Sequence, residues 1–113
     1  MIEKTILDFL TEQLPDIPIY METPESPPDA FILIEKTAGG RTNYIQEATL
    51  AIQSYGASLY KAAALNESVK ELMLDSAPAL DALCKVRLNS DYNFTDTRTK
   101  RYRYQAVYDI KYY

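Results

Sequence analysis

Residues 100–113 read KRYRYQAVYDIKYY. The even positions are Tyr102, Tyr104, Ala106, Tyr108, Ile110 and Tyr112, and the odd ones Arg101, Arg103, Gln105, Val107, Asp109 and Lys111. A period of two held this long predicts a β-strand with one aromatic face and one mostly charged face. Such a strand needs a partner, and the segment upstream supplies one.

Working outward, Cys84 to Phe94 alternates as well, with Val86, Leu88, Tyr92 and Phe94 on one side and Lys85, Arg87, Asn89 and Asp91 on the other. The connection TDTRT, residues 95–99, is too short for a crossover helix, so the two strands are expected to form an antiparallel hairpin. Further upstream, residues 43–55 set Ala48, Leu50 and Ile52 against Glu47, Thr49, Ala51, Gln53 and Tyr55. Residues 30–37, AFILIEKT, begin with five apolar residues in a row, as in a strand covered on both faces. Ala38, Gly39, Gly40 and Arg41 are expected to turn this strand into the next. Residues 17–21, IPIYM, suit a short edge strand because Pro18 cannot donate to a ladder. TPESPPD, residues 23–29, is expected to be an exposed loop.

Two stretches carry helical spacing. Residues 2–14 place Ile2, Ile6, Phe9, Leu10 and Gln13 on one stripe and stop at Pro15. From Ser58, a plausible N-cap, to about Ser76 the stripe is Ala62, Leu65, Val69, Leu72 and Met73. The run Ala62–Ala64 would let this helix lie close to a sheet. The expected fold class is α+β: a two-layer sandwich with an antiparallel β-sheet of about four to five strands against two α-helices, in the order α-β-β-β-α-β-β. At 113 residues, with 47% hydrophobic and 25% charged residues, the chain fits a single domain spanning 1–113.

Charge is unevenly spread along a chain of net charge -4. Residues 1–35 hold one cation, Lys4, against eight carboxylates, whereas residues 85–113 hold seven cations against three carboxylates. Either each end is simply solvated, or the acidic part of one copy meets the basic part of the next. The residues placed at such a contact are Glu22, Glu25 and Asp29 on the acidic side and Arg41, Arg98, Lys100, Arg101 and Arg103 on the basic side.

Chemistry is sparsely provided for. The chain has no histidine and one cysteine, Cys84, which removes the usual general base, a zinc site within one copy and any intrachain disulfide. Cys84 is expected to be a small buried apolar residue. No carboxylate pair has calcium-loop or glycosidase spacing. TAGGR lacks the Lys-Ser/Thr ending of a phosphate loop and precedes a strand, not a helix. No enzyme activity, cofactor or metal is expected. RTKRYRY, residues 98–104, interleaves basic and aromatic residues as single-strand binders do, but strand alternation is expected to part the Arg and Tyr side chains onto opposite faces. The start of the chain, MIEKTILDFL, has neither a basic region nor a long apolar run, so no signal peptide is expected and synthesis is placed in the cytosol.

In this order of elements the chain resembles the tail-terminator and tail-completion proteins of long-tailed bacteriophages and prophages. The resemblance rests on IEKTILDFLTEQLP, the hairpin FILIEKTAGGRTNYIQEATLAIQSYG, the helix SLYKAAALNESVKELM directly after it, and the closing RYRYQAVYDIKYY. It implies a structural virion protein of the head–tail junction, a homo-oligomeric ring, usually of six copies, between tail tube protein and head connector proteins. It implies no small-molecule substrate and no membrane, with nucleic acid at most passing through the ring. Two other readings stay open: another head–tail connector or minor capsid component, and a nucleic-acid-binding module using the basic C-terminal hairpin.

Overall fold

Ile2–Gln13 forms the first helix, α1, and buries Ile2, Ile6, Phe9 and Leu10, spaced four, three and one apart along one stripe. Leu14 leaves helical geometry at φ -126°, as expected before Pro15. The computed structural model describes all 113 residues. After α1 come β1 (Ile19–Tyr20), β2 (Phe31–Thr42), β3 (Ile45–Gly56), α2 (Leu59–Glu71), β4 (Leu83–Asn93) and β5 (Tyr102–Tyr112). The chain is an α+β protein with one five-stranded sheet in the order β1-β2-β3-β5-β4.

The sheet is mixed, not wholly antiparallel as expected, because β1 pairs with β2 in parallel. Residues 21–30, rich in proline, carry the chain back so that Phe31 sets out in the same direction as Ile19. The N–H of Ile32 then donates to the carbonyl of Pro18 at 2.9 Å, so Pro18 serves the edge as an acceptor only. All other pairings are antiparallel.

A second correction concerns the first hairpin. Gly39 and Gly40 lie within β2, and the turn is the pair Asn43–Tyr44, at φ 50° and 70°. Positive φ at both central residues is the geometry whose twist matches two paired strands. The register shifts between Lys36 and Ala38, so Thr37 is a bulge that bends the strand where a turn was expected. Residues 35–44 are all exposed, and they contribute to a long molecule, 44 × 26 × 25 Å.

β5 lies between β3 and β4, and Tyr108 pairs with Leu50 on one side and Leu88 on the other. Two register shifts in β4, between Leu83 and Lys85 and between Leu88 and Ser90, change which residues share a face. Val86 and Leu88 lie opposite Ile110 and Tyr108 as expected, but beyond the second shift Asp91 lies opposite Ala106 and Tyr92 opposite Gln105. Tyr92 is therefore on the face away from Leu88, because one extra residue in a strand reverses its alternation. Cys84, at the first shift, is half-buried, not fully enclosed.

α2 begins where the sequence places it, with the Ser58 hydroxyl accepting from the Lys61 N–H at 3.1 Å. Its first turn comes so near β3 that a Cβ on Gly56 would sit 2.5 Å from the nitrogen of Ala62. After Glu71 the helix widens into a π turn, Leu72–Ser76, and closes with a 3-10 turn, Ala77–Ala79, that contains Pro78.

One buried cluster of 17 residues unites Ile2, Ile6, Phe9 and Leu10 of α1, Val69 of α2, Met73 and Ala77 beyond it, and Ile32, Ile34, Ala48, Leu50, Ile52, Leu83, Ala106, Tyr108, Ile110 and Tyr112 of the strands. Burial of this set is the main favourable contribution to folding, at about 25 cal/mol per Å² of apolar surface. Phe31, Ala51 and Tyr55 are buried too but lie outside it, on the other parity of their strands. No helix is long and apolar enough to cross a membrane.

Candidate functional site

Alternation along β2, β3 and β5 sends Phe31, Gln53, Tyr55, Arg103 and Gln105 to the face away from the core cluster. There Phe31 and Tyr55 stack with centroids 4.1 Å apart and planes 9° from parallel, and Tyr20 meets Phe31 edge-on at 5.9 Å. The guanidinium of Arg101 lies 5.7 Å from the Phe31 centroid and 5.5 Å from that of Tyr55. Arg103 lies 4.3 Å from the centroid of Phe94. Its Nε donates to the Phe94 carbonyl and its Nη1 to the Tyr55 hydroxyl, both at 2.7 Å.

The chain of donors continues across the strands. The Tyr55 hydroxyl donates to Gln53 Oε1 at 2.9 Å, Gln53 Nε2 to Gln105 Oε1 at 2.9 Å, and Gln105 Nε2 to the Tyr92 hydroxyl. Gln53 and Gln105 are 6% and 9% exposed, so these bonds replace the water that burial removes. The Arg and Tyr side chains of β5 itself part onto opposite faces as alternation requires, yet Arg101 and Arg103 still share a face with aromatic rings. The reason is that the partner rings come from β2, β3 and Phe94, not from β5 itself. Arg103 is tied to these neighbours, whereas Arg101 rests on ring faces without an ion pair.

Of the residues singled out from sequence, Glu22, Glu25 and Asp29 are exposed on the loop before β2, and Arg98 and Lys100 are exposed in the turn before β5. None of the five has an ion-pair partner within the subunit. Asp29, Lys100 and Arg101 line one small cavity of about 100 Å³ together with Tyr55 and Gly56. At this corner the acidic loop and the basic turn are neighbours in the same molecule. Arg41 is elsewhere, exposed near the hairpin tip with its guanidinium 5.9 Å from the centroid of Tyr44. Its register partner Gln46 is nine residues along β3 from Tyr55, the partner of Arg103, a separation of about 30 Å along the strand.

Nearer the tip, a cleft of about 360 Å³ runs across β2, β3, β5 and β4, lined by Gly40, Glu47, Thr49, Lys85, Arg87, Asp109 and Lys111 among others. Its central carboxylate is Asp109, which accepts from Asn89 Nδ2, Arg87 Nη2 and Thr49 Oγ1, each at 3.0 Å. The bond from Asn89, followed by those from Arg87 and Thr49, holds this carboxyl below its ordinary range. The cleft offers charged side chains, the Thr49 hydroxyl and strand backbone.

A cluster that sequence reasoning missed joins α2 to β4. Asn66, 1% exposed, donates Nδ2 to Asp91 Oδ1 at 2.7 Å, and Lys70 Nζ reaches Asp91 Oδ2 at 2.6 Å and Glu67 Oε1 at 2.8 Å. The bonds to Asp91 and then Glu67 raise the pKa of Lys70. The available signal was the position of Asn66 four residues after Ala62, on the apolar stripe. No protein-family model matches the chain, and comparison with curated proteins gives no match.

Proposed function

We propose that the chain is the subunit of a ring-forming structural protein at the head–tail junction of a phage or prophage particle, made in the cytoplasm of the bacterial host. In this reading α1 and α2 form one layer and the sheet the other, and the ring, of about six copies as in the family it resembles, stands between tail tube and head connector. The observation that carries the reading is the stretch 35–44, exposed throughout, whose strand pairs with β3 on one side and with no strand on the other. A strand edge of this length without a partner is available to a neighbour. Native mass spectrometry of the protein alone and mixed with tail tube protein tests the reading. A closed ring under either condition is expected, and a monomer under both overturns it.

The second reading is a nucleic-acid-binding module, favoured by the exposed cations Arg98 and Lys100 in the turn that leads into Arg101 and Arg103. It predicts retention on single-stranded DNA that falls steeply with salt, and no retention at low salt removes it.

A further inference from the structure

The sheet has two edges without a strand partner. On one side β1 covers only Ile32 and Leu33, so Ile34–Thr42 of β2 pairs with β3 alone. On the other side β4 pairs with β5 alone. Unpaired strand edges are templates for another strand.

The two edges match in direction, in level and in charge. From β2 through β3 and β5 to β4 each step is antiparallel, so β4 runs opposite to β2. A copy set beside the first by lateral repetition therefore brings the two edges together antiparallel, with the helices of both copies on the same side. Following register partners across the sheet, Arg41 is level with Gln46, Tyr112 and Leu83, and Ile34 with Ile52, Ala106 and Asp91. The uncovered part of β2 is thus level with Leu83–Asp91.

Glu35 and Lys36 have no ion-pair partner in their own subunit. At these levels Glu35 falls diagonally across from Arg87 of the next copy on one face, and Lys36 diagonally across from Asp91 on the other. Diagonal positions in a sheet are within reach of long side chains, and both pairs are of opposite sign.

We propose that β4 of one copy pairs with Ile34–Thr42 of the next, so that the sheet continues from subunit to subunit. The contact is heterologous, so each added copy presents the same open edge until the series closes. The twist of a continued sheet supplies the curvature. This contact rests on the ring reading in naming a second copy as the occupant.

The full chain carrying Gly40→Cys tests it, with native Cys84 as the second thiol. Gly40 is level with Glu47, Lys111 and Lys85, and within one subunit it is three strand spacings from Cys84, about 14 Å. That exceeds the roughly 7 Å limit between Cα atoms of a disulfide, whereas in adjacent copies paired as proposed the two positions are neighbours. Mild oxidation at high protein concentration should give a covalent ladder beyond dimers. Its yield should be several-fold above that of Tyr60→Cys, which puts a thiol on exposed α2, and Gly40→Cys with Cys84→Ser should stop at dimers. A ladder no stronger than that of Tyr60→Cys, in protein that native mass spectrometry shows as a ring, overturns the edge contact and leaves the ring reading. Monomer by mass spectrometry together with no ladder overturns both.

Discussion

The Nη1 of Arg103 donates to the hydroxyl of Tyr55 at 2.7 Å, and that hydroxyl passes its own proton bond to Gln53. A cation placed outward by strand alternation is thereby fixed to the sheet, and the glutamine pair beneath it is kept from water.

Arg103→Ala should lower stability by about 1–3 kcal/mol, because it leaves Tyr55 and Gln53 short of a partner on a half-buried face. Urea denaturation followed by circular dichroism measures this. A midpoint equal to that of the unaltered protein would show the network to be a surface ornament of no structural consequence.

The glycines of this chain should respond in opposite ways. Gly56→Ala should cost about 1–3 kcal/mol, since its methyl would meet the Ala62 backbone at 2.5 Å. Gly40→Ala should be neutral or stabilise by up to about 1 kcal/mol, because φ is not positive there and nothing lies within 4 Å of the added carbon. Thermal melts of the two variants, side by side, decide the matter.

Tyr108 is fully buried and its hydroxyl has no partner in the protein. Burial, with the nearby charges of Asp91 and Glu67, pushes its pKa far above the ordinary phenol value. Tyr108→Phe removes an unpaired polar atom and keeps the ring, so stability should stay level or rise. A loss above about 1 kcal/mol in calorimetry would contradict this.

Asp109 and Lys70 contribute to the pH dependence of stability, beside Tyr108, whose raised pKa also makes stability fall as pH rises past the ordinary phenol value. The pKa of Asp109 is lower folded than unfolded, so its contribution is complete above the ordinary value of 3.8 and is lost as pH falls from there through the folded pKa. The pKa of Lys70 is higher folded than unfolded, so its contribution is complete below 10.5 and is lost as pH rises through the folded value. Asp109→Asn should make the acid side of a stability profile less steep, and Lys70→Met the alkaline side, where the Tyr108 slope remains. Profiles as steep in the variants as in the unaltered protein would contradict the assignment.

Both helices and the long alternating strands are legible from sequence, because a period of 3.6 or 2 survives whatever lies around it. Ala48, Leu50 and Ile52, or Ala106, Tyr108 and Ile110, announce a core face without any knowledge of their partners. The hairpin turn is not legible in this way: Gly39–Gly40 has the stronger turn chemistry, yet a bulge at Thr37 carries β2 past it to Asn43–Tyr44. The register shift after Leu88 is equally silent, and it alone decides that Asp91 meets Asn66 and Lys70 while Tyr92 joins Gln105. Of the residues marked for contact, Asp29, Lys100 and Arg101 come together and Arg41 stands apart, which depends on strand order and not on composition.

The strand that follows all the others in the chain is threaded between two that precede it. Until residues 102–112 have been synthesised, the plate is two unjoined pieces, with β3 bare along one flank and β4 without a bonded neighbour. A polypeptide clipped before this segment therefore keeps both outer strands but lacks the one that binds them into a single plate.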